Sequence, residues 1–394
     1  MHPFRRRIQV RLAIVGCGFV ADYYMTTLVN HPELRVVGIH DRDDARGKAF
    51  GVFHGLRLYP SLDALLADPE VEMVLNLTNP SSHYAVSRAV LEAGKHVWSE
   101  KPLALDLEEA RDLVALAQAK GLAIACAPAT MLGEAATAMR KAIGAGRIGR
   151  VRLAYAEMED SMVFREDYRK WRSRSGAPWP AEDEFATGCT LEHAGYYLTW
   201  LCAFFGPVAE MTAFAARLFD DKGTGQPPET IANDFSVACL RFRSGVVARL
   251  TCGLAAPVDR SLHIVGDEGI LSISDGWNTR SPVFLRDRYG RATSRLPKLG
   301  KLLAVAERRL PFRQWSGRRL PLEGGEVVTP PYASRIDFAR GPAALASAIR
   351  AGRAPAIDAA FSLHVTELSL VAQHAERHAM PYRPISSFEP APVG

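Results

Sequence analysis

The chain has 394 residues and a formal net charge of +5 at pH 7, with 48% hydrophobic and 23% charged residues. One compact core does not normally accommodate that length, so we expect two or more domains in an ordinary globular protein. The small net charge, and the lack of an apolar run near the roughly 20 residues of a membrane span, argue against nucleic-acid and membrane partners.

The first residues imitate a signal peptide, because Arg5, Arg6 and Arg7 precede a partly apolar stretch. Arg11 interrupts that stretch, and cleavage beyond it would remove the first predicted strand. Although a twin-arginine-like pair is present, we therefore expect a cytoplasmic protein. The six cysteines include no Cys-x-x-Cys pair, which favours reduced thiols over a disulfide framework or a zinc site.

The first predicted strand, residues 10–15, leads directly into the pattern Gly16-x-Gly18-x-x-Ala21, and a helical pattern follows over about 19–30. Gly16 permits a tight turn, Gly18 lets the backbone approach a pyrophosphate, and the small Ala21 lets the helix pack on the strand. The alternative is a glycine turn in some other strand–helix unit.

A second predicted strand, residues 34–39, is followed by Asp41, which lies 23 residues after Gly18. A carboxylate that binds the ribose hydroxyls of a dinucleotide is expected about 20 residues after such glycines. Both features together predict a dinucleotide site. Asp41 favours NAD because its carboxylate would repel the 2′-phosphate of NADP, whereas Arg42 beside it leaves NADP open.

Strands and helices continue to alternate through the first third of the chain. Further strands are predicted near 72–77, 95–98 and 122–126, and further helices near 61–67, 82–93 and 106–120. This alternation predicts a doubly wound parallel sheet of the Rossmann type, which we assign to residues 1–128.

Polar segments follow two of these strands: Thr78-Asn79-Pro80 with His83, and Glu100-Lys101-Pro102. Because open α/β sheets bind ligands at the carboxyl ends of their strands, we expect both segments in the same crevice.

Beyond about residue 131 the pattern becomes one of long alternating segments, which predicts a C-terminal α/β domain, residues 129–394, on a large, open, mostly antiparallel sheet. Its predicted strands are 151–157, 208–216, 231–242, 246–252, 261–265 and 270–274, and its predicted helices are 133–144, 188–205, 337–351 and 359–378. We expect the helix at 188–205 to lie across the sheet and the last helix to pack back on the first domain. The last ten residues, with two prolines, are predicted to form a loose tail.

A basic segment, residues 298–319, contains seven lysines and arginines and one acidic residue. It is either a solvated surface or a patch that contacts an anionic substrate or another subunit.

The motifs resemble those of the glucose-fructose oxidoreductase and inositol dehydrogenase family, often written Gfo/Idh/MocA, over nearly the whole chain. The resemblance implies NAD(P)-dependent hydride transfer to or from a carbon of a sugar or polyol, with a catalytic lysine at Lys101, a cofactor contact at Glu100 and a cis peptide before Pro102. It implies cofactor contacts at Gly16, Gly18, Phe19, Val20, Asp41, Arg42, Thr78, Asn79, Pro80, His83, Glu100 and Lys101.

Oxidation of a secondary alcohol requires a group that takes the hydroxyl proton as the hydride leaves. A lysine with a reference pKa of about 10.4 can do so if burial or a nearby cation, such as NAD⁺, lowers that pKa by roughly 2–3 units. The alternative for Lys101 is a surface lysine before a loop proline.

The helix at 188–205 departs from the family pattern, which places Asp-x-Gly-x-His there. Alignment on Gly195 puts His193 at the aspartate position and Tyr197 at the histidine position. Since residues four apart share a helix face, we predict that both point at the crevice, with Tyr197 as acid/base beside the lysine and His193 as a substrate or proton-relay contact.

Two alternatives remain open for this helix. In the first, Tyr197 has no catalytic role and belongs to a core stripe with Tyr196 and Trp200. In the second, Glu192 and His193 form an ordinary hydrogen-bonded pair.

A polar, aromatic segment is predicted to contact substrate through Tyr168, Trp171 and Arg172, and a solvated loop is the alternative. No histidine or cysteine spacing predicts a metal site. We predict an NAD(P)-dependent oxidoreductase that acts on a carbohydrate-like alcohol or ketone, nucleotide sugars included, and that forms a homodimer or homotetramer through its open sheet. The alternatives are an NAD-retaining glycosidase or lyase and a non-catalytic nucleotide-binding regulator.

Overall fold

The computed structural model describes residues 9–288, 317–330 and 334–390 and the single residue 305. Most of the basic segment, including Arg308, Arg309 and Arg313, lies outside the described residues, so its predicted roles stay predictions. Within the described ranges no helix combines the length and the apolar character needed to cross a bilayer.

Five parallel strands form the first sheet, in the order β2-β1-β3-β4-β5. The strands are β1 (Val10–Val15), β2 (Leu34–His40), β3 (Met73–Asn76), β4 (His96–Ser99) and β5 (Ile124–Cys126). The helices of this part are α1 (Phe19–Thr27), α2 (Asp44–His54), α3 (Leu62–Leu66), α4 (His83–Glu92) and α5 (Leu107–Ala119). This arrangement confirms the predicted Rossmann sheet.

The central strand β1 shows why the sheet is covered on both faces. Leu12 and Ile14 belong to one buried cluster, whereas Ala13 and Val15 belong to another on the opposite face. A strand that is buried on both faces has a continuous apolar sequence, which is typical of parallel sheets.

The second sheet has eight strands in the described residues, in the order β13-β12-β11-β10-β6-β9-β8-β7. Neighbouring strands are antiparallel except β6 and β9, which are parallel, and β12 and β13 were not predicted. The strands are β6 (Val151–Glu159), β7 (Val208–Ala216), β8 (Phe235–Phe242), β9 (Val247–Gly253), β10 (Leu262–Gly266), β11 (Gly269–Ile273), β12 (Phe284–Asp287) and β13 (Arg318–Arg319).

The helices of this second part are α6 (Glu134–Gly144), α7 (Ala181–Thr187), α8 (Cys189–Phe205), α9 (Arg340–Arg350) and α10 (Ala359–Gln373). Helix α8 is almost wholly buried, because its apolar residues contact the sheet on one side and α10 on the other. Helix α10 also touches α5 and β5 of the first part, where the Cys126 amide donates to the Ser362 hydroxyl over 3.1 Å.

The prediction of a loose C-terminal tail is wrong for residues 385–390. The amides of Ile385 and Ser386 donate to the carboxylate of Glu367 over 2.8 and 2.9 Å. The ring of Phe388 packs on that of Phe361, with centroids 4.9 Å apart. A buried carboxylate and an aromatic contact thus hold a segment that was predicted to be a loose tail.

Candidate active site

A single cavity of about 1500 Å³ lies between the carboxyl ends of the first sheet and the second part of the chain. All twelve residues predicted to contact the cofactor line it: Gly16, Gly18, Phe19, Val20, Asp41, Arg42, Thr78, Asn79, Pro80, His83, Glu100 and Lys101. Tyr168, Trp171, Arg172 and His193, predicted to contact substrate, line it as well. Tyr197 does not.

Gly16 and Gly18 have different roles at the end of the cavity next to the N-terminus of α1. Gly16 has φ +93°, and a Cβ there would lie 2.6 Å from the carbonyl carbon of Leu77, so the turn needs glycine. Gly18 caps the start of α1, no side chain caps its amides, and a Cβ there would meet open space. Free amides at an open helix N-terminus form an anion site, so these residues fit a dinucleotide pyrophosphate.

Asp41 directly follows β2, beside this cradle. Its carboxylate accepts hydrogen bonds from the amides of Cys17 over 2.7 Å and Asp43 over 2.9 Å. These bonds fix the carboxylate at the cavity wall, with Arg42 next to it. The position fits recognition of ribose hydroxyls.

His83 connects the two polar segments that were predicted to share the crevice. Its ring nitrogens lie 2.6 Å from the Pro102 carbonyl oxygen and 2.9 Å from that of Thr78. Burial lowers the pKa of His83. The peptide between Lys101 and Pro102 is cis, as the family resemblance implied.

Glu100 is held by the first domain. The Tyr24 hydroxyl donates to one carboxylate oxygen over 2.7 Å, and the Lys101 amide donates to the other over 3.1 Å. Trp98 donates in turn to the Tyr24 hydroxyl over 2.9 Å. This buried chain of bonds orients the backbone from which the Lys101 side chain projects.

Lys101 forms an ion pair and hydrogen bond through Nζ with Oε2 of Glu192, which lies on α8. Burial by itself would lower the pKa of Lys101, but the charges of Glu192 and Glu184 outweigh it and raise the pKa above the ordinary lysine value. The lowered pKa expected from the sequence is therefore corrected: these carboxylates hold the side chain as an ammonium group.

Helix α8 presents a different face to the cavity from the one predicted. Cys189, Glu192, His193 and Tyr196 line the cavity, and they recur at the spacing of one helix face. Tyr197 is turned by about 100° from Tyr196.

The prediction that Tyr197 points at the crevice is corrected by its contacts. The residue is fully buried, and its hydroxyl donates to the backbone carbonyl of Arg260 over 2.5 Å. Burial raises the pKa of Tyr197 well above its usual value, so the phenol stays neutral.

His193 lies beside Trp277, with ring centroids 5.4 Å apart. Its Nδ1 is buried without a hydrogen-bond partner, and burial lowers the pKa of the ring. The guanidinium of Arg260 stacks on Trp277 at 3.8 Å and bonds Asp160. Together they give this end of the cavity aromatic faces and polar groups, which suit a hydroxylated ring.

The predicted substrate segment closes one side of the cavity. The Tyr168 hydroxyl donates to the Lys222 carbonyl over 3.0 Å, and Trp171 packs on Trp179 at 5.3 Å. Arg172 donates to the Arg169 carbonyl of its own loop over 2.8 Å.

The same segment is tied to the first domain. The amide and hydroxyl of Ser175 donate to Asp22 on α1 over 3.0 and 2.7 Å, and Arg46 on α2 donates to the Ser175 carbonyl over 3.1 Å. We call residues 168–180 the strap.

Sequence reasoning missed several cavity residues: Asp160, Glu184, Tyr196, Arg260 and Trp277. It considered Glu192 only as an alternative, although the polar spacing of Glu192, His193 and Tyr196 on one predicted helix was the available signal. The described residues contain no group of three or more His, Cys, Asp or Glu side chains arranged to hold a metal ion.

Comparison with known proteins adds two family matches. Residues 10–127 match the family described as "Oxidoreductase family, NAD-binding Rossmann fold", and residues 136–272 match the "GFO/IDH/MocA C-terminal domain". Trans-1,2-dihydrobenzene-1,2-diol dehydrogenase of Bos taurus is 27% identical over 269 residues, which is 68% of this chain and 74% of the relative.

Solved structures share the fold. An oxidoreductase from Desulfitobacterium hafniense, described as NADPH-dependent, is 20% identical with a TM-score of 0.70, and the alignment covers 93% of this chain and 95% of that one. The WlbA dehydrogenase of Bordetella pertussis, in complex with NADH and UDP-GlcNAcA, is 19% identical with a TM-score of 0.68 and covers 94% and 96%.

Proposed function

Since this chain belongs to the Gfo/Idh/MocA family of NAD-binding oxidoreductases, we propose that it transfers a hydride between nicotinamide and a secondary alcohol or ketone of a sugar, polyol or related cyclic diol. The observation that supports this is the meeting of Lys101 with the dinucleotide cradle in one cavity. The cofactor, when bound, accepts or returns the hydride. The residues of the chain orient the substrate and handle its proton.

Lys101 is the proposed proton-transfer residue. As an ammonium group it can donate a proton to the oxygen of a ketone while the hydride arrives at carbon. In the reverse direction it passes one of its own protons to Glu192 and takes the hydroxyl proton of the alcohol. As an ammonium group again, it stabilises the developing alkoxide oxygen. His193 and Tyr196, which line the same wall, are proposed to hold neighbouring hydroxyls.

The bovine relative is named for a cyclic vicinal diol, and the Bordetella structure holds a nucleotide sugar. We include both chemistries in the candidate substrates, because each offers a ring alcohol beside a second oxygen. The aromatic faces of Trp171 and Trp277 along the cavity support a ring-shaped substrate.

We propose a homo-oligomer through the outer face of the second sheet. Phe214 on β7 and Val247 on β9, the two strands that flank β8, are 59% and 36% exposed, and a second copy of the chain would cover these apolar side chains. The boundary near residue 128 between the two domains stays a proposal.

The test is a screen of purified protein with NAD⁺, NADP⁺ and their reduced forms against sugars, polyols, nucleotide sugars and cyclic diols. Once a substrate is found, Lys101→Met should lower kcat by roughly 10²–10⁴-fold while the affinity for NADH, measured by titration calorimetry, changes little. Lys120→Met, at an exposed position on the same domain, is the matched control. Normal kcat in Lys101→Met would refute the proposed role.

A further inference from the structure

The end of the cavity next to Trp277 holds an arginine that is fixed through both its backbone and its side chain. The carbonyl oxygen of Arg260 accepts hydrogen bonds from the Gly276 amide over 2.8 Å and from the Tyr197 hydroxyl. Its guanidinium lies over the Trp277 ring, with Cζ 3.8 Å from the centroid, and Nη2 donates to Oδ1 of Asp160. A guanidinium that stacks on an indole while it bonds a carboxylate keeps one orientation.

The pair of Arg260 and Asp160 has two polar atoms left for a ligand. The side chains are 12% and 16% exposed, and both residues line the cavity. Within the described residues, neither Nη1 of Arg260 nor Oδ2 of Asp160 has a hydrogen-bond partner, and both atoms are accessible to solvent. Guanidinium nitrogens only donate and carboxylate oxygens only accept. The pair therefore presents one donor and one acceptor to the cavity.

His193 connects this pair with the proposed reacting centre. It follows Glu192, whose carboxylate bonds Nζ of Lys101, and its ring centroid lies 5.4 Å from that of Trp277, on which Arg260 stacks. Burial lowers the pKa of the ring, and Nδ1 is buried without a partner in the part of the chain that the structure describes. A neutral ring with its proton on Nε2 avoids a buried orphan donor and offers that N–H to the cavity.

The charges at this end of the cavity decide which oxygen groups fit. Asp160 balances the positive charge of Arg260, and a second carboxyl group, that of Asp275, accepts from the Trp277 amide over 2.9 Å. An anionic group bound to Nη1 would lie beside the Asp160 carboxylate, and the repulsion would lower its affinity. A neutral vicinal diol fits better, because one hydroxyl accepts from Nη1 while its neighbour donates to Oδ2.

We propose that Arg260 and Asp160 form a diol subsite, which binds two neutral ring hydroxyls in addition to the alcohol or ketone that faces Lys101. Trp277 is a positioning residue, because it holds the plane of the guanidinium. The inference rests on the proposed function for its catalytic meaning, and it narrows the substrate class. Cyclic polyols and neutral sugar rings fit, whereas a ring with a single diol lacks the additional hydroxyls and a uronate carries the wrong charge.

The first test measures binding by titration calorimetry to protein saturated with NADH or NADPH, whichever binds more tightly. The probes are myo-inositol and D-glucose as neutral rings, trans-cyclohexane-1,2-diol as the ring with a single diol, and D-glucuronate as the anion. We expect at least one neutral ring to bind roughly 10–100-fold more tightly than the last two probes, the range of a hydrogen bond to a charged group. The proposal is overturned if neither neutral ring binds, or if the single diol or D-glucuronate binds as tightly.

Variants then test the charge balance and the stacking. Asp160→Asn keeps an acceptor for Arg260 but leaves its charge unbalanced, so the preference for the neutral ring over D-glucuronate should shrink several-fold; an unchanged preference would count against the subsite. Asp267→Asn is the matched control, since Asp267 also pairs with an arginine, Arg152, but is exposed and does not line the cavity. Trp277→Leu should weaken binding of the neutral ring, and Trp277→Phe should restore it, because a phenyl ring also stacks on a guanidinium. Circular dichroism checks that each variant is folded.

Steady-state kinetics separates the diol subsite from the proposed reaction. With a neutral ring that is turned over, Arg260→Gln should raise KM roughly 10–100-fold, a larger change than that in kcat, because the guanidinium holds substrate and moves no proton. Binding with the expected preferences but no turnover with either cofactor would refute the proposed function and leave the subsite standing. Turnover with an unchanged KM in Arg260→Gln would refute the subsite and leave the proposed function standing.

Discussion

The face that α8 presents to the cavity is tested by changing two adjacent tyrosines. Tyr197→Phe removes a hydroxyl that donates to the carbonyl of Arg260 inside the protein. That carbonyl also accepts from the Gly276 amide over 2.8 Å, so it keeps one partner when the hydroxyl is lost. We therefore expect a loss of about 1 kcal/mol in the free energy of unfolding, nearer the net value of one hydrogen bond than the roughly 1–3 kcal/mol of an orphaned acceptor.

Tyr196→Phe removes a hydroxyl from the cavity wall instead. We expect it to lower kcat/KM by roughly 5–10-fold, corresponding to about 1–1.4 kcal/mol of interaction with substrate. Urea denaturation monitored by tryptophan fluorescence gives the stabilities, and steady-state kinetics gives the activities. Tyr197→Phe should keep kcat within about twofold of the wild type. A fall of a hundredfold or more with unchanged stability would mean that Tyr197 handles the proton and that the assignment of the helix face is wrong.

Three further predictions concern the cofactor cradle and the pH dependence of stability. Because Asp41 is fixed at the cavity wall where we propose that the ribose binds, NAD(H) should bind several-fold more tightly than NADP(H), and Asp41→Ser should narrow this difference in affinity. Calorimetry that finds NADP preferred in the wild type would contradict this. Gly18→Ala should have the melting temperature of the wild type but bind NADH more weakly. Gly16→Ala should lower the melting temperature, since the Cβ at residue 16 clashes with backbone and the Cβ at residue 18 does not. Burial alone would lower the pKa of His31, but its hydrogen bond to Asp337 helps to raise it. A raised pKa means that protonated His31 stabilises the folded state. That stabilisation is full below the unfolded pKa of about 6.5 and is lost as pH rises through the folded pKa. His31→Gln should therefore cost more unfolding free energy at about pH 5.5 than at about pH 9, and an equal cost at both would contradict the assignment.

The cofactor cradle could be predicted from sequence because its requirements are local. Gly16 is needed for a positive φ and a close backbone approach, and Gly18 for an open helix start. These requirements are met by a few consecutive residues, so they can be recognised in the sequence without knowledge of the rest of the fold.

The face of α8 could not be read in this way. Gly195 marked the family alignment, but in the structure a Cβ there would lie 3.1 Å from Cδ of Pro128. The glycine serves the packing of the helix against a strand end, so it says little about which neighbours reach the cavity. Tertiary contacts decide between Tyr196 and Tyr197, and adjacent residues of the same type carry no signal to separate them.

Helix α2 was missed for a related reason. Gly47 and Gly51 lower its helix propensity, yet a Cβ at Gly47 would lie 2.9 Å from Leu58, and one at Gly51 3.0 Å from the Leu56 carbonyl. Close packing of the helix on the following segment offsets the weak propensity. Asp43 supplies the start signal, since its carboxylate accepts from the amides of residues 45 and 46.

Because of the strap, we expect the exchange of cofactor to depend on contacts between the two parts of the chain as well as on the affinity of the site. Ser175 belongs to the C-terminal part of the chain, yet its polar atoms bond α1 and α2, the helices beside the cofactor cradle. Opening that end of the cavity requires the bonds to Asp22 and Arg46 to break together. We expect the residence time of a bound dinucleotide to follow the lifetime of these hydrogen bonds.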